Sequence, residues 1–370
     1  MTTKEAAYLS EVLASDLWIG DGPFSRRCEA LIREQLRVPH AYLTPSCTSA
    51  LEMACILAGL EPGDEVIMPS FGFSSAANAV VLRGAIPVFV DIRADTLNID
   101  EALIEGAITE RTRAIVVVHY AGVCCETQPI WAPVIAQNIV VIEDAAQAYL
   151  SSSRLWGREA MAGNIGNLAT FSFHHTKNIR CGEGGALICG ASGFSPRAEI
   201  IRDKGTDRAA FMRGEIPRYT WVDLGGSHTP SEFQAAVLLA QLENAEAITA
   251  RRVALWNLYH TSLQHLEHRS FITRPTVPAH CRHNGHIYRV MLPTNAARDR
   301  VLAALRAEGI GASFHYVPLH SAPAGRRYGR LGSAMTVTDD AAARLLRLPL
   351  THATTEAEVE RVVERLGAVV

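Results

Sequence analysis

Between about residues 40 and 190 the chain repeats one pattern, and that pattern narrows the fold more than any other feature. Short apolar runs alternate with segments that read as helices. The runs are EVIMPS (65–70), PVFVDI (87–92), AIVVVHYAG (114–122), IVVIEDAA (139–146), LATFSFH (168–174) and GALIC (185–189). Several are nearly unbroken and rich in Val and Ile, as strands covered on both faces must be. Segments 49–58, 75–83, 100–107 and 127–137 suit helices between them. Strand, helix and strand in repetition predict an α/β fold: a mostly parallel sheet with helices on both faces.

A chain of 370 residues has room for one large domain and a smaller one. In HTPSEFQAAV (228–237), Thr229, Pro230 and Glu232 read as a capping box with proline at the first helical position. This predicts a long helical region reaching about residue 263. We expect a large domain over 1–245 and a small C-terminal α/β domain over 246–370. The second holds an expected strand, HIYRVMLP (286–293), and a helix, RDRVLAALRAEG (298–309), stopped by Gly309. A last helix opens with Thr355 and Glu358, and Val359, Val362, Val363 and Leu366 form its apolar stripe.

The formal net charge is −3, from 35 basic and 38 acidic residues. Such a balance offers no footprint for nucleic acid or an anionic membrane surface. No apolar run has the roughly 18 residues a membrane span requires, and the N-terminus lacks the apolar core of a secretory signal. The eight cysteines show no CxxC pair and no zinc spacing. They read as reduced thiols of a cytoplasmic protein without a metal.

Three stretches carry chemistry. In TPSCTSALEMA (44–54), small hydroxyl residues precede a helix. Free N–H groups at a helix start form an anion site, to which Ser46, Thr48 and Ser49 can add donors; plain capping is the other reading. In VVIEDAAQA (140–148), a buried-type strand ends in Glu143-Asp144. Ligands of open parallel sheets bind at the carboxyl ends of strands, so this acid is either a ligand contact or a helix cap. In FSFHHTKNIRCGEGG (171–185), Ser172 and Lys177 follow a strand and lead into glycines that permit close backbone approach. A lysine there is either solvated or an amine made nucleophilic by burial and neighbouring charge. Together the three are more specific. A pyridoxal phosphate enzyme needs a lysine for the aldehyde, a carboxylate for the ring nitrogen and a cup for the phosphate. The cup, the acid and the lysine occur here in that order.

The succession TPSCTSALEMA, PSFGFSSAANA, VIEDAAQA and FSFHHTKN with GEGG resembles the DegT/DnrJ-type nucleotide-sugar aminotransferases. The likeness runs from GDGPFSRRC (20–28) to LLRLPL (345–350). With RDKGTDR (202–208), WVDLGGS (221–227) and FHYVPLH (314–320), it looks most like the dTDP-4-oxo-6-deoxyglucose 4-aminotransferases. The resemblance implies the type I, aspartate aminotransferase-like fold, with a mixed, mostly parallel seven-stranded sheet. It implies a homodimer whose active sites each use both subunits, and transfer of an amino group from L-glutamate to C4 of a dTDP-sugar. Related readings are transfer at C3, or to a pentose or a UDP-sugar.

Residue by residue, Lys177 takes the place of the Schiff-base lysine; dehydratases of the family carry histidine there. Asp144 matches the acid at the pyridine nitrogen, and Gln147 the residue near the ring's phenolic oxygen. Phe73 matches the stacking aromatic and Ser172 a phosphate ligand. Cys47 and Thr48 match the phosphate-cup pair usually written Gly-Thr. Ser227 stands where many members have an asparagine that reaches the neighbouring subunit's phosphate. Lys204, Arg213, Tyr219, Tyr316 and His320, with the GDGP segment, fall where relatives line the sugar-nucleotide site.

Overall fold

The main sheet forms because the apolar runs pair edge to edge. A computed structural model describes residues 3–190 and 192–370. In chain order the strands are β1 (His40–Thr44), β2 (Glu65–Pro69), β3 (Ile86–Val90), β4 (Thr112–Val118), β5 (Val140–Asp144), β6 (Ser152–Leu155), β7 (Arg158–Met161), β8 (Leu168–Ser172), β9 (Gly185–Cys189), β10 (Cys281–Arg282), β11 (Tyr288–Met291), β12 (Arg330–Leu331) and β13 (Leu345–Leu348). The large sheet runs β1-β9-β8-β5-β4-β2-β3-β12. From β8 to β12 every pair is parallel; β9 runs against both of its neighbours.

The expected seven strands are therefore joined by an eighth, the two-residue β12. It comes from the C-terminal part, where no apolar run signals it. Its Arg330 reaches back to Glu65, a fully buried carboxylate that also receives Arg111. A buried charge needs such partners.

Alternate residues of each strand feed two cores, as a period of two requires. Ala114 and Val116 of β4 pack beneath the helices Cys47–Leu57 and Ser74–Leu82. Ile115 and Val117 face Ile104, Ile130 and Val134 on the opposite side. The segments expected as helices at 100–107 and 127–137 are each a 3₁₀ turn continued by a short α-helix.

The capping box lies two residues later than expected. Ser231 caps the helix Glu232–Leu242, and Gln234 closes the box. Glu232 is engaged elsewhere: it is fully buried and accepts the N–H groups of Phe24 and Ser25, at 2.8 and 3.0 Å. It thus caps the helix Pro23–Leu36, whose own preceding residue, Gly22, has no side chain to do so. The long helical region is divided at Glu243 and Asn244, and Ala245–Ser262 follows.

A third core is built only from C-terminal residues, among them Leu255, Tyr259, Tyr288, Val301, Leu346, Val359 and Leu366. β11 and β13 form its antiparallel pair. Helix Asn295–Ala307 and the Thr355-capped helix Glu356–Val369 cover it. Met291 and Leu345 instead join Phe71 and Tyr120, which brings this part against the carboxyl ends of the large sheet.

Candidate active site

Asp144 is the last residue of β5 and is 6% exposed. No helix follows it. A turn does, and the Ala146 N–H donates to its Oδ1 at 3.1 Å. Burial holds the Asp144 carboxyl above the ordinary carboxylate range; that N–H, Lys177 and His119 only partly oppose the effect. Glu143, one residue earlier, points the other way. It accepts the N–H groups of Gly163, Ile165 and Gly166, at 2.6 to 2.8 Å, and contacts His119 Nε2.

Lys177 stands beyond β8, in the turn that leads to β9, with its N–H on the carbonyl of His174 at 2.9 Å. Removal of water from its amine lowers its pKa from the usual lysine value. Cys47 and Asp144 oppose the shift and Arg347 adds to it.

The helix Cys47–Leu57 begins beside both groups. Ser46 is its cap, accepting the Ser49 N–H at 3.1 Å. Thr48 Oγ1 lies 2.8 Å from Ser75 Oγ, the first turn of the next helix, so two helix starts place hydroxyls together. Gly185 makes this approach possible. A Cβ there would overlap the backbone of Ser46 and Cys47.

These residues line one cavity of about 610 Å³, with Cys47, Thr48, Phe73, Asp144, Gln147, Ser172, Lys177 and Tyr316 among its walls. Gln147 is fixed at both ends of its amide. Its Oε1 accepts the Ala121 N–H at 2.7 Å and its Nε2 donates to the Tyr316 hydroxyl at 2.8 Å. Tyr316 lies on the His315 ring, centroids 3.7 Å apart. Phe73 is 63% exposed at the mouth.

Pyridoxal phosphate fits this set. Asp144 is a buried carboxylate with no hydrogen-bonded cation among the described residues, the Lys177 amine of the same cavity is desolvated, and hydroxyls and free N–H groups cluster at a helix start.

The description "DegT/DnrJ/EryC1/StrS aminotransferase family" matches residues 1–367. The chain belongs to that family. It is 34% identical, over 326 residues, to the uncharacterized protein MJ1066 of Methanocaldococcus jannaschii, covering 86% of this chain and 82% of that protein. Its structure is similar to that of a DegT DnrJ EryC1 StrS aminotransferase from Brucella abortus: TM-score 0.89, 28% identity, 99% and 95% of the two chains covered. A Streptococcus pneumoniae protein, Spr1654, solved in its PLP form, matches with TM-score 0.89 at 25% identity, covering 100% of this chain and 96% of that one. The fold is that of the type I aminotransferases, and the chain is a PLP-dependent aminotransferase.

Not every expected residue of this aminotransferase reaches the cavity. Ser227 is exposed and bridges to Asp203. Lys204 is exposed and ion-paired with Asp203. Arg213 pairs with Glu199 and Glu215, at a second cavity of about 460 Å³ that Asp21, Gly22 and Pro23 also line. Tyr219 is exposed and packs on Phe211. His320 holds Ser70 Oγ through Nδ1 at 2.7 Å, outside the lining.

Sequence reading missed Ser75, His286, His315 and Arg347 among the lining residues. Only Ser75 carries a local signal, a hydroxyl at a helix start. Burial pushes the His315 pKa down to about 2 and that of His286 well below the ordinary value, so both rings are neutral. Among the described residues, no helix is long and apolar enough to cross a membrane, and no cluster of His, Cys, Asp and Glu could hold a metal ion.

Proposed function

We propose that this aminotransferase moves an amino group from L-glutamate to C4 of dTDP-4-oxo-6-deoxy-D-glucose, giving a dTDP-4-amino-4,6-dideoxyhexose. The observation that carries the chemistry is the shared cavity of Lys177 and Asp144 at a helix start. What supports the sugar is the likeness of LTPSCTSALEMA, RDKGTDR, WVDLGGS and FHYVPLH to the 4-aminotransferase subgroup.

Pyridoxal phosphate, when bound, supplies an aldehyde that takes up amines and a ring that draws electrons from the neighbouring carbon. Lys177 holds the aldehyde end. The Lys177 amine, when free of the aldehyde, would be the base placed to take the donor's α-proton. Its lowered pKa keeps more of it neutral for that task. Asp144 would keep the ring nitrogen protonated, which in turn would give its buried carboxylate a partner. Thr48, Ser172 and the N–H groups at the start of helix Cys47–Leu57 hold the phosphate, with Cys47 at the first position. Gln147, locked by Ala121 and Tyr316, would meet the ring's phenolic oxygen, and Phe73 would offer a stacking face.

Ser227, Lys204, Arg213 and Tyr219 serve the neighbouring subunit's site in a homodimer. Two facts support this: they lie off the Lys177 cavity, and the apolar side chains of Met212 and Trp221 stand 67% and 76% exposed near them in sequence. The reaction belongs to the cytoplasm, where nucleotide sugars are handled without disulfides; all eight cysteines are free.

The test is product analysis with ¹⁵N-labelled L-glutamate and dTDP-4-oxo-6-deoxy-D-glucose. NMR should find the label on C4. Label on C3, or incorporation only into a pentose or UDP-sugar, would replace the substrate assignment.

A further inference from the structure

The turn that opens the phosphate cup is gripped on both sides by one neighbouring pair of segments. Strand β1 enters the turn and ends at Thr44, and helix Cys47–Leu57 leaves it. Residues 201–204 and 226–228 run beside each other. The Gly226 N–H donates to the Ile201 carbonyl at 2.9 Å, the Lys204 N–H to the Gly226 carbonyl at 2.9 Å, and the His228 N–H to the Arg202 carbonyl at 3.1 Å. Two side chains reach from this pair to the turn. On the strand side, Arg202 Nε donates to the Leu43 carbonyl at 3.0 Å, and its guanidinium is fixed by Asp21 and Glu29. On the helix side, His228 Nδ1 lies 2.5 Å from Ser49 Oγ. The far edge of the same ring covers Gly226, where a Cβ would overlap Nε2. The backbone bonds and Gly226 thus seat this half-buried ring on Ser49.

Ser49 stands in the first turn of the cup helix, and its N–H is already taken by Ser46 Oγ. Its hydroxyl is the handle by which a neighbour can hold that turn. The need is physical: first-turn N–H groups have no partner within the helix, and helix ends fray. A phosphate meets them best when they are already in place, because ordering a site on binding costs affinity. Neither His228 nor Ser49 lines the Lys177 cavity, so their contact reaches the cofactor only through the helix start. We propose that His228 is a positioning residue for the cofactor phosphate: by holding Ser49 it sets the N–H groups of helix Cys47–Leu57 where the phosphate meets them. The assignment rests on reading this helix start as the phosphate cup.

The test is absorbance titration of the cofactor-free protein with pyridoxal phosphate and with pyridoxal, which offers Lys177 the same aldehyde but has no phosphate. His228→Ala should raise the Kd for pyridoxal phosphate roughly three- to tenfold, the worth of one hydrogen bond, and leave that for pyridoxal unchanged. His228→Asn, which keeps a polar atom near the place of Nδ1, should restore most of the loss. Ser49→Ala should match His228→Ala, and the double variant should bind no more weakly than either, as partners in one contact require. An unchanged Kd for pyridoxal phosphate in a folded His228→Ala protein overturns the proposal. So do equal losses for the two ligands, which would mark general damage, and losses that multiply in the double variant. If His228→Ala fails to fold, Ser49→Ala decides the matter on the same two ligands. A wild type that binds pyridoxal phosphate no more tightly than pyridoxal overturns the cup reading itself and the proposal with it, an outcome distinct from any confined to the variants.

Discussion

Glu143 and Asp144 are neighbours on β5 with opposite surroundings. Glu143 is enclosed by three N–H donors and His119, whereas Asp144 faces the cavity with one N–H and, among the described residues, no hydrogen-bonded cation. Strand alternation places one carboxylate in the scaffold and the other in the site.

The first prediction concerns Asp144 and pH. Its folded pKa lies above the ordinary carboxylate value. The stability linked to its proton is fully present below the unfolded pKa and is lost as pH rises through the folded one. The cofactor-free Asp144→Asn protein, which keeps an acceptor for the Ala146 N–H, should melt about 1–3 °C above the wild type at pH 7. The difference should vanish below about pH 4. Conversion of the loaded protein by L-glutamate should nevertheless fall by at least roughly a hundredfold. A wild type more stable than the variant at pH 7 would count against the unpaired carboxylate.

Gly185 is constrained by space. Gly185→Ala should push the start of helix Cys47–Leu57 away from β9 and weaken the phosphate cup. The Kd for pyridoxal phosphate, read by absorbance titration, should rise by about tenfold or more. Unaltered affinity would show that the cup does not depend on this approach.

Glu232 caps a helix other than its own. Glu232→Ala leaves the Phe24 and Ser25 donors unmet, which should cost about 2–4 kcal/mol. Urea unfolding should report this as a lower midpoint. A loss under about 0.5 kcal/mol would mean that water replaces the carboxylate.

Tyr316 orients Gln147. Tyr316→Phe removes the acceptor of the Gln147 amide while keeping the stacked ring. The rate of the glutamate half-reaction should fall about three- to tenfold with pyridoxal phosphate still bound. An unchanged rate would make the contact structural only.

Much of the fold was legible in the chain because runs such as GALIC and PVFVDI are buried on both faces and carry no competing pattern. The hairpin β6–β7 was not, since SSRL and REAM read as polar loop. Nor was β12, two residues whose pairing with β3 depends on the C-terminal part folding back. Among the cavity residues, Cys47, Thr48, Asp144 and Lys177 each sit at a junction between elements and were visible locally. Arg347 was not: LLRLPL looks like a strand with one outward arginine, and only the docking of β13 against the large sheet turns that arginine into the cavity. Glu232 misled for a related reason. Its spacing from Thr229 suits a capping box, but the buried start of helix Pro23–Leu36 claims it.

The central claim is that Lys177 and its cavity carry an amino group from an amino acid to an oxo-sugar. A two-step absorbance trace tests it most directly, on the PLP-loaded wild type beside Lys177→Ala. L-Glutamate should discharge the cofactor's visible band in the wild type, and dTDP-4-oxo-6-deoxy-D-glucose, added after excess glutamate is removed, should restore it. Lys177→Ala should do neither. A band that L-glutamate leaves untouched in the wild type, or that Lys177→Ala discharges and recovers at the wild-type rate, would contradict the account.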